Sequence, residues 1–165
     1  FDNAEMTEEL YNFWFNQELK YLLHLSNKKY IPEILLIDTK KRIIEFKWYN
    51  KNLNVMIENN TINKVKNWQK KIKAIKDDLE KDNIFKINMY PHTFYFDDDD
   101  NAYIMDLYGC TDKHTRYLDT KYLKPLIRTN RFDKFIINDQ LDTHELYNET
   151  IKTNYAEWPG DFLNA

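Results

Sequence analysis

The chain has 165 residues, 42% hydrophobic and 16% aromatic, with 31% charged and a formal net charge of -3. That is one domain's length with apolar mass for a real core, which excludes a disordered chain. No basic block marks a nucleic-acid surface, and no apolar run approaches the ~18 residues of a membrane span.

The single cysteine, Cys110, rules out an intramolecular disulfide and fits a reducing, cytoplasmic compartment. No signal peptide is visible. Phe1 is not an initiator Met, so a processed or truncated product is expected. Richness in Asn, Lys, Ile and Tyr with two Gly fits an AT-rich genome, as in large DNA viruses, some phages and certain protists.

A first helix is predicted from about Met6 to Leu25, with Thr7 as N-cap and Glu8 and Glu9 in its first turn. Leu10, Trp14, Glu18, Tyr21, Leu22 and Leu25 recur at steps of three and four. An acid in such a stripe is costly without a partner. Glu18 is either solvated at the stripe's edge or held by a specific contact. After Tyr30-Ile31-Pro32, a β-rich run covers Glu33 to Asp38, Thr39 to Arg42 turn, and Ile43 to Tyr49 return. Ile44, Phe46 and Trp48 alternate with Glu45 and Lys47, as in a half-buried strand. Leu53 to Ile57 is a short helix, and Asn63 to Lys81 a long one buried through Val65, Trp68, Ile72, Ile75 and Leu79.

The stretch from Lys86 to Gly109 organises the rest. Phe94 to Phe96 and Ala102 to Met105 flank the turn-favouring Asp97 to Asn101, which reads as a hairpin. Asp106 follows directly, three residues before Gly109, and Pro91 stiffens the loop upstream. Further on, Thr120 to Ile127 reads as a short helix and Arg131 to Ile137 as an ambiguous apolar segment. Asp142 to Glu145 forms a capping box opening a helix that Trp158-Pro159-Gly160 stops.

Loop, hairpin and strand-terminal Asp together resemble the protein-kinase-like family. There a His-x-Asp loop is followed by an Asn, and a hairpin leads to an Asp-Phe-Gly whose Asp holds magnesium. Asn88 falls at the catalytic Asp, Lys86 at the His, Thr93 at the metal-binding Asn, and Asp106 at the metal-binding Asp. Asp-Leu-Tyr-Gly is one residue longer than Asp-Phe-Gly. Gln17 to Leu25 is similar to the kinase C-helix, whose Glu, here Glu18, pairs with a strand Lys. The first hairpin resembles strands four and five. Lys47, Trp48, Tyr49 and Asn50 then fall at the hinge that bonds adenine, unless Trp48 and Tyr49 are simply core or rim aromatics. The resemblance spans roughly Glu9 to Gly109, and no Ala-Pro-Glu counterpart follows.

The implied fold is α+β, with residues 1–49 a partial small lobe (helix plus hairpin) and 50–165 a reduced, mainly helical large lobe. The Gly-rich loop and strand Lys do not lie within the sequence. Asn88 cannot act as a base, Thr93 is a poorer magnesium ligand than Asn, and one carboxylate binds metal weakly. The resemblance therefore implies a degenerate kinase-like domain, a pseudokinase or an atypical, weak ATP-dependent kinase, with ATP and Mg²⁺ as the implied cofactors. The alternative is a non-enzymatic interaction or structural protein, also aimed at a protein partner. Asp97 to Asp100 lack the calcium-loop pattern and read as a solvated turn. His92, Cys110 and His114 lack paired zinc spacing. No hydrolase or dinucleotide motif appears.

Overall fold

The computed structural model describes residues 3–86, 89–112 and 146–148. Over these the chain is α+β, as expected. Helix α1 (Asn3–His24) leads into the hairpin β1 (Ile34–Asp38) and β2 (Ile43–Phe46). A two-residue strand β3 (Lys51–Asn52), helix α2 (Leu53–Glu58) and a 3₁₀ turn at Ile62–Lys64 precede the second long helix, α3 (Trp68–Lys81). Then come β4 (Ile84–Lys86), a 3₁₀ turn at Pro91–Thr93, β5 (Phe94–Phe96), β6 (Ala102–Ile104), a 3₁₀ turn at Leu107–Gly109 and β7 (Cys110–Asp112). β1 pairs with β2, β5 lies between β3 and β6, and β4 pairs with β7, all antiparallel.

Both long helices begin elsewhere than their sequence signals suggest. α1 is already helical at Asn3, so Thr7 lies inside it and does not cap it. Ala4, Glu5 and Met6 are all good helix formers and carry the start upstream. α3 starts only at Trp68, because Asn67 takes a left-handed conformation (φ 57°) that interrupts the helix. The residues from Ile62 to Lys64 form their own turn. The buried stripe is nonetheless the expected one: Trp68, Ile72, Ile75 and Leu79 are buried on α3, and Val65 just ahead of it. Each such side chain contributes about 1.5–3 kcal/mol of transfer free energy.

The return strand is shorter than its alternation implies. Lys47 N–H donates to the Glu33 carbonyl (2.9 Å) as a last rung, and the chain then leaves the sheet. Trp48 is consequently 81% exposed, while Tyr49 is buried and stacks on Tyr103 at 4.2 Å. Ile44 and Phe46 are half-buried with Glu45 exposed, as expected of that part of the strand.

One core joins these pieces. Tyr21 and Leu22 of α1, with Leu25 just past its end, meet the α2 and α3 stripes, Phe94, Phe96, Ile104 and Leu107. The loop after α1 is fastened to the rest. Tyr30 Oη donates to Asp78 Oδ2 (2.7 Å), and the Tyr30 carbonyl accepts from Ile104 N–H (3.0 Å). Lys28 Nζ reaches Asp78 and Asp82 at 3.1 and 3.6 Å.

The acidic hairpin tip is only half solvated. Asp98 and Asp99 are exposed, but Asp97 accepts from the N–H groups of Asp99 and Asn101, from Asn101 Nδ2 and from Tyr103 Oη. Asp100 is paired with Lys51 at 3.0 Å. Of the expectations beyond residue 112, only the helix after the capping box touches described residues. Residues 146–148 are helical and Leu146 is buried. The others, at 120–127, 131–137, 142–145 and 158–160, lie outside them, as does His114.

Candidate functional site

Strand pairing and one helix contact bring the distant charged residues together. In the β4–β7 ladder Lys86 lies opposite Cys110, which follows directly on the Leu107–Gly109 turn. α1 packs on that turn, and Gln17 Nε2 donates to the Cys110 carbonyl (3.2 Å). Glu18, the next residue along α1, accepts hydrogen bonds from the backbone N–H groups of Tyr108 and Leu107. Glu18, Lys86 and Asp106 thus share one electrostatic environment, although 88 positions of sequence separate the first from the last.

Asp106 opens the turn in a left-handed conformation (φ 59°, ψ 54°). A left-handed backbone costs a residue with a Cβ roughly 1–2 kcal/mol, and such strain concentrates at functional sites. Asp tolerates the conformation better than most residues do.

The charges are strongly perturbed. Burial lifts the Glu18 carboxyl from 4.5 to about 7, and the Asp106 carboxylate adds to the rise; the Tyr108 N–H, Lys86 and the Leu107 N–H oppose it. Glu18 as a residue is half-buried, yet its Oε2 is inaccessible and has no hydrogen-bond partner among the described residues. The solvated-edge reading of Glu18 is therefore wrong: the carboxylate is desolvated. Burial pushes the Lys86 ammonium below its ordinary value, against the opposing pull of Cys110, Asp106 and Glu18. Burial also pushes the Cys110 thiol up to about 12, so it stays protonated at neutral pH.

Glu18 and Asp106, but not Lys86 or Cys110, line a cleft of about 430 Å³. Tyr11, Trp14 and Glu18 line it from α1, Ile44 and Phe46 from β2, and Asp106 with Tyr108 from the turn. Trp14 and Tyr108 are in ring contact at 5.3 Å. Arg42, in the turn of the β1–β2 hairpin, ties that hairpin to α1 through Glu8 (2.9 Å) and Asn12 (3.0 Å).

The other candidate residues lie elsewhere. Lys47, Trp48, Tyr49 and Asn50 line a separate cleft of about 390 Å³ with Asp97, Asp98, Asp99 and Tyr103, and it shares no lining residue with the first. Thr93 is fully buried, and its Oγ1 donates to the Tyr90 carbonyl (2.8 Å). Asn88 lies outside the described residues. His92 stacks on Tyr90 at 5.5 Å. Among the described residues no group of three or more His, Cys, Asp or Glu could hold a metal ion. Lys86, placed by resemblance alone, proves to be a buried charge. Its signal was a lysine between the apolar Phe85 and Ile87.

No family model and no curated protein matches the chain. Among solved structures, the chain is similar to the bifunctional kinase-methyltransferase WbdD, with a TM-score of 0.52 at 12% identity over 90% of this chain. A second structure, of monomeric WbdD, gives the same TM-score and identity over 85% of this chain. Over part of its length the chain has a kinase-like fold. It spans 37% of the WbdD chain in each case, and similarity at 12% identity concerns the fold alone. No helix among the described residues is long and apolar enough to cross a membrane.

Proposed function

We propose that this is a kinase-like, nucleotide-binding domain with impaired phosphoryl transfer. The observation that supports it most is that Glu18 and Asp106 line one cleft, with the helix carboxylate held by the backbone just past Asp106. In the resemblance these are the C-helix glutamate and the magnesium-binding aspartate. ATP and a divalent cation are the ligands of this reading. The donor set fits a metal only sparingly, because Asp106 is the carboxylate offered and phosphate oxygens would supply further ligands. When bound, the metal would offset phosphate charge.

The chain's own residues account for the impairment. An amide at Asn88 orients a hydroxyl but takes no proton from it. The Thr93 hydroxyl donates to the Tyr90 carbonyl and does not line the cleft, so it adds no metal ligand there. Lys47 to Asn50, which the resemblance alone puts at the adenine edge, line a different cleft and are not assigned to this site.

Fluorescence anisotropy of a labelled ATP analogue tests the proposal. Binding is expected in Mn²⁺, reversed by EDTA, and weakened at least tenfold by Asp106→Asn. Metal-independent binding, or none, would sink it.

A second reading, an interaction protein, is favoured by the outer side of the β1–β2 hairpin. Leu35 is 60% exposed and Leu36 and Ile43 are exposed beside it, an apolar surface that a protein partner would cover.

A further inference from the structure

Where the chain leaves the β1–β2 hairpin, its next large side chain, Trp48, stands 81% exposed. A lone exposed aromatic is ordinary on a protein surface. Trp48, however, lines a concave cleft of about 390 Å³ together with Asp98 and Asp99 of the β5–β6 turn. Both walls of that cleft are braced. Tyr49 is buried and stacks on Tyr103 at 4.2 Å, which joins the strand exit to β6. Asp97 holds the turn through the N–H groups of Asp99 (3.0 Å) and Asn101 (2.8 Å), and Asp100 is held by Lys51 (3.0 Å). The Asp98 and Asp99 carboxylates are exposed and, among the described residues, take part in no hydrogen bond or ion pair. Lys47, the cation among the described lining residues, pairs with neither.

An indole face beside free carboxylates is the chemistry that recognises an organic cation: the ring's negative face attracts it and the carboxylates neutralise it. A guanidinium suits such a cleft better than an ammonium. It is planar, stacks on a ring, gives two parallel donors to a carboxylate and is more weakly hydrated. Sites for free small molecules bury most of the ligand's surface, whereas the main apolar wall here stands in water. A protein that carries the arginine covers that wall as it docks, and Trp and Arg are side chains that dominate such contacts. We propose that this cleft docks an arginine side chain of a partner protein, its guanidinium stacked on Trp48 and paired with Asp98 and Asp99. The inference is independent of the nucleotide reading, whose cleft shares no lining residue with this one.

The test is fluorescence anisotropy on the full chain with a labelled peptide in which arginine alternates with Gly-Ser. Peptides with lysine or neutral citrulline in place of arginine run beside it. The arginine peptide is expected to bind about fivefold tighter than the equally charged lysine peptide, and the citrulline peptide not at all. Trp48→Ala, which changes no charge, should weaken the arginine peptide about tenfold, and Trp48→Phe less. Asp98→Asn with Asp99→Asn should weaken it by about tenfold as well. Urea midpoints of these variants should match wild type, because the positions are exposed. Arginine amide, the free small-molecule source, should bind about tenfold more weakly than the peptide. Equal binding of the arginine and lysine peptides, or affinity unmoved by Trp48→Ala, would reduce the cleft to general charge attraction and overturn the inference. No binding of the arginine peptide would also overturn it, and arginine amide as tight as the peptide would overturn the protein source. None of these outcomes bears on Mn·ATP, so the nucleotide reading stands or falls separately.

Discussion

Glu18, midway along the first helix, accepts a hydrogen bond from the backbone N–H of Tyr108, two residues past Asp106. This contact ties the helix to the Asp-Leu-Tyr-Gly turn and sets the floor of the cleft. It also puts a carboxylate where burial makes ionisation costly.

A pH dependence follows. The folded-state value for Glu18, about 7, lies above its ordinary 4.5, so the folded protein binds this proton more tightly than the unfolded chain does. The resulting stabilisation is fully present below 4.5 and is lost as pH rises through 7. Wild-type protein should lose on the order of 2–3 kcal/mol relative to Glu18→Gln between about pH 5 and pH 8. Urea unfolding of both proteins across that range checks it, and parallel profiles would contradict it.

The loop after α1 should depend on its hydroxyl clamp. Tyr30→Phe removes the donor to Asp78 while keeping the ring, and is expected to cost about 1–2 kcal/mol, the usual worth of a hydrogen bond to a charged group at a half-buried site. Asp78→Asn should recover part of that bond. Urea midpoints measure both, and an unchanged midpoint in Tyr30→Phe would contradict the clamp.

The acidic tip should divide sharply. Asp97→Ala strips four hydrogen bonds from the β5–β6 turn and is expected to cost about 2 kcal/mol. Asp98→Ala, at an exposed position, should stay within about 0.5 kcal/mol of wild type. Chemical denaturation of the two variants side by side separates them, and equal effects would show that the tip is merely solvated.

In the core, Phe96 of β5 is fully buried as part of the hydrophobic cluster. Phe96→Ala should cost about 3–5 kcal/mol and leave little native protein at ambient temperature, as circular dichroism would register.

Much of this was legible in the residues. Steps of four and three at Trp68, Ile72, Ile75 and Leu79 marked a buried helix face, and two aromatic-rich runs around Asp97 to Asn101 marked a hairpin, because both signals are local. Boundaries were not. The left-handed Asn67 and the end of β2 at Phe46 depend on where the chain must go next, and an exposed Trp48 runs against its own hydrophobicity. The site was legible only in pieces. Glu18 and Asp106 stood out by type and position, but their shared cleft required the β4–β7 ladder and the packing of α1 on the turn. Lys86 illustrates the same limit: its apolar neighbours Phe85 and Ile87 were the one local hint, and its burial is set by the β4–β7 pairing.

The most direct measurement is a thermal-shift titration of wild type and Asp106→Asn with ATP, with and without Mn²⁺. Asparagine keeps the left-handed backbone accessible and removes only the charge. At a ligand concentration 100 times Kd, binding adds about 2.7 kcal/mol of stability. A rise in Tm that needs the metal and is lost in Asp106→Asn is the predicted result. Identical melting of both proteins with and without metal nucleotide would contradict a nucleotide site at Asp106.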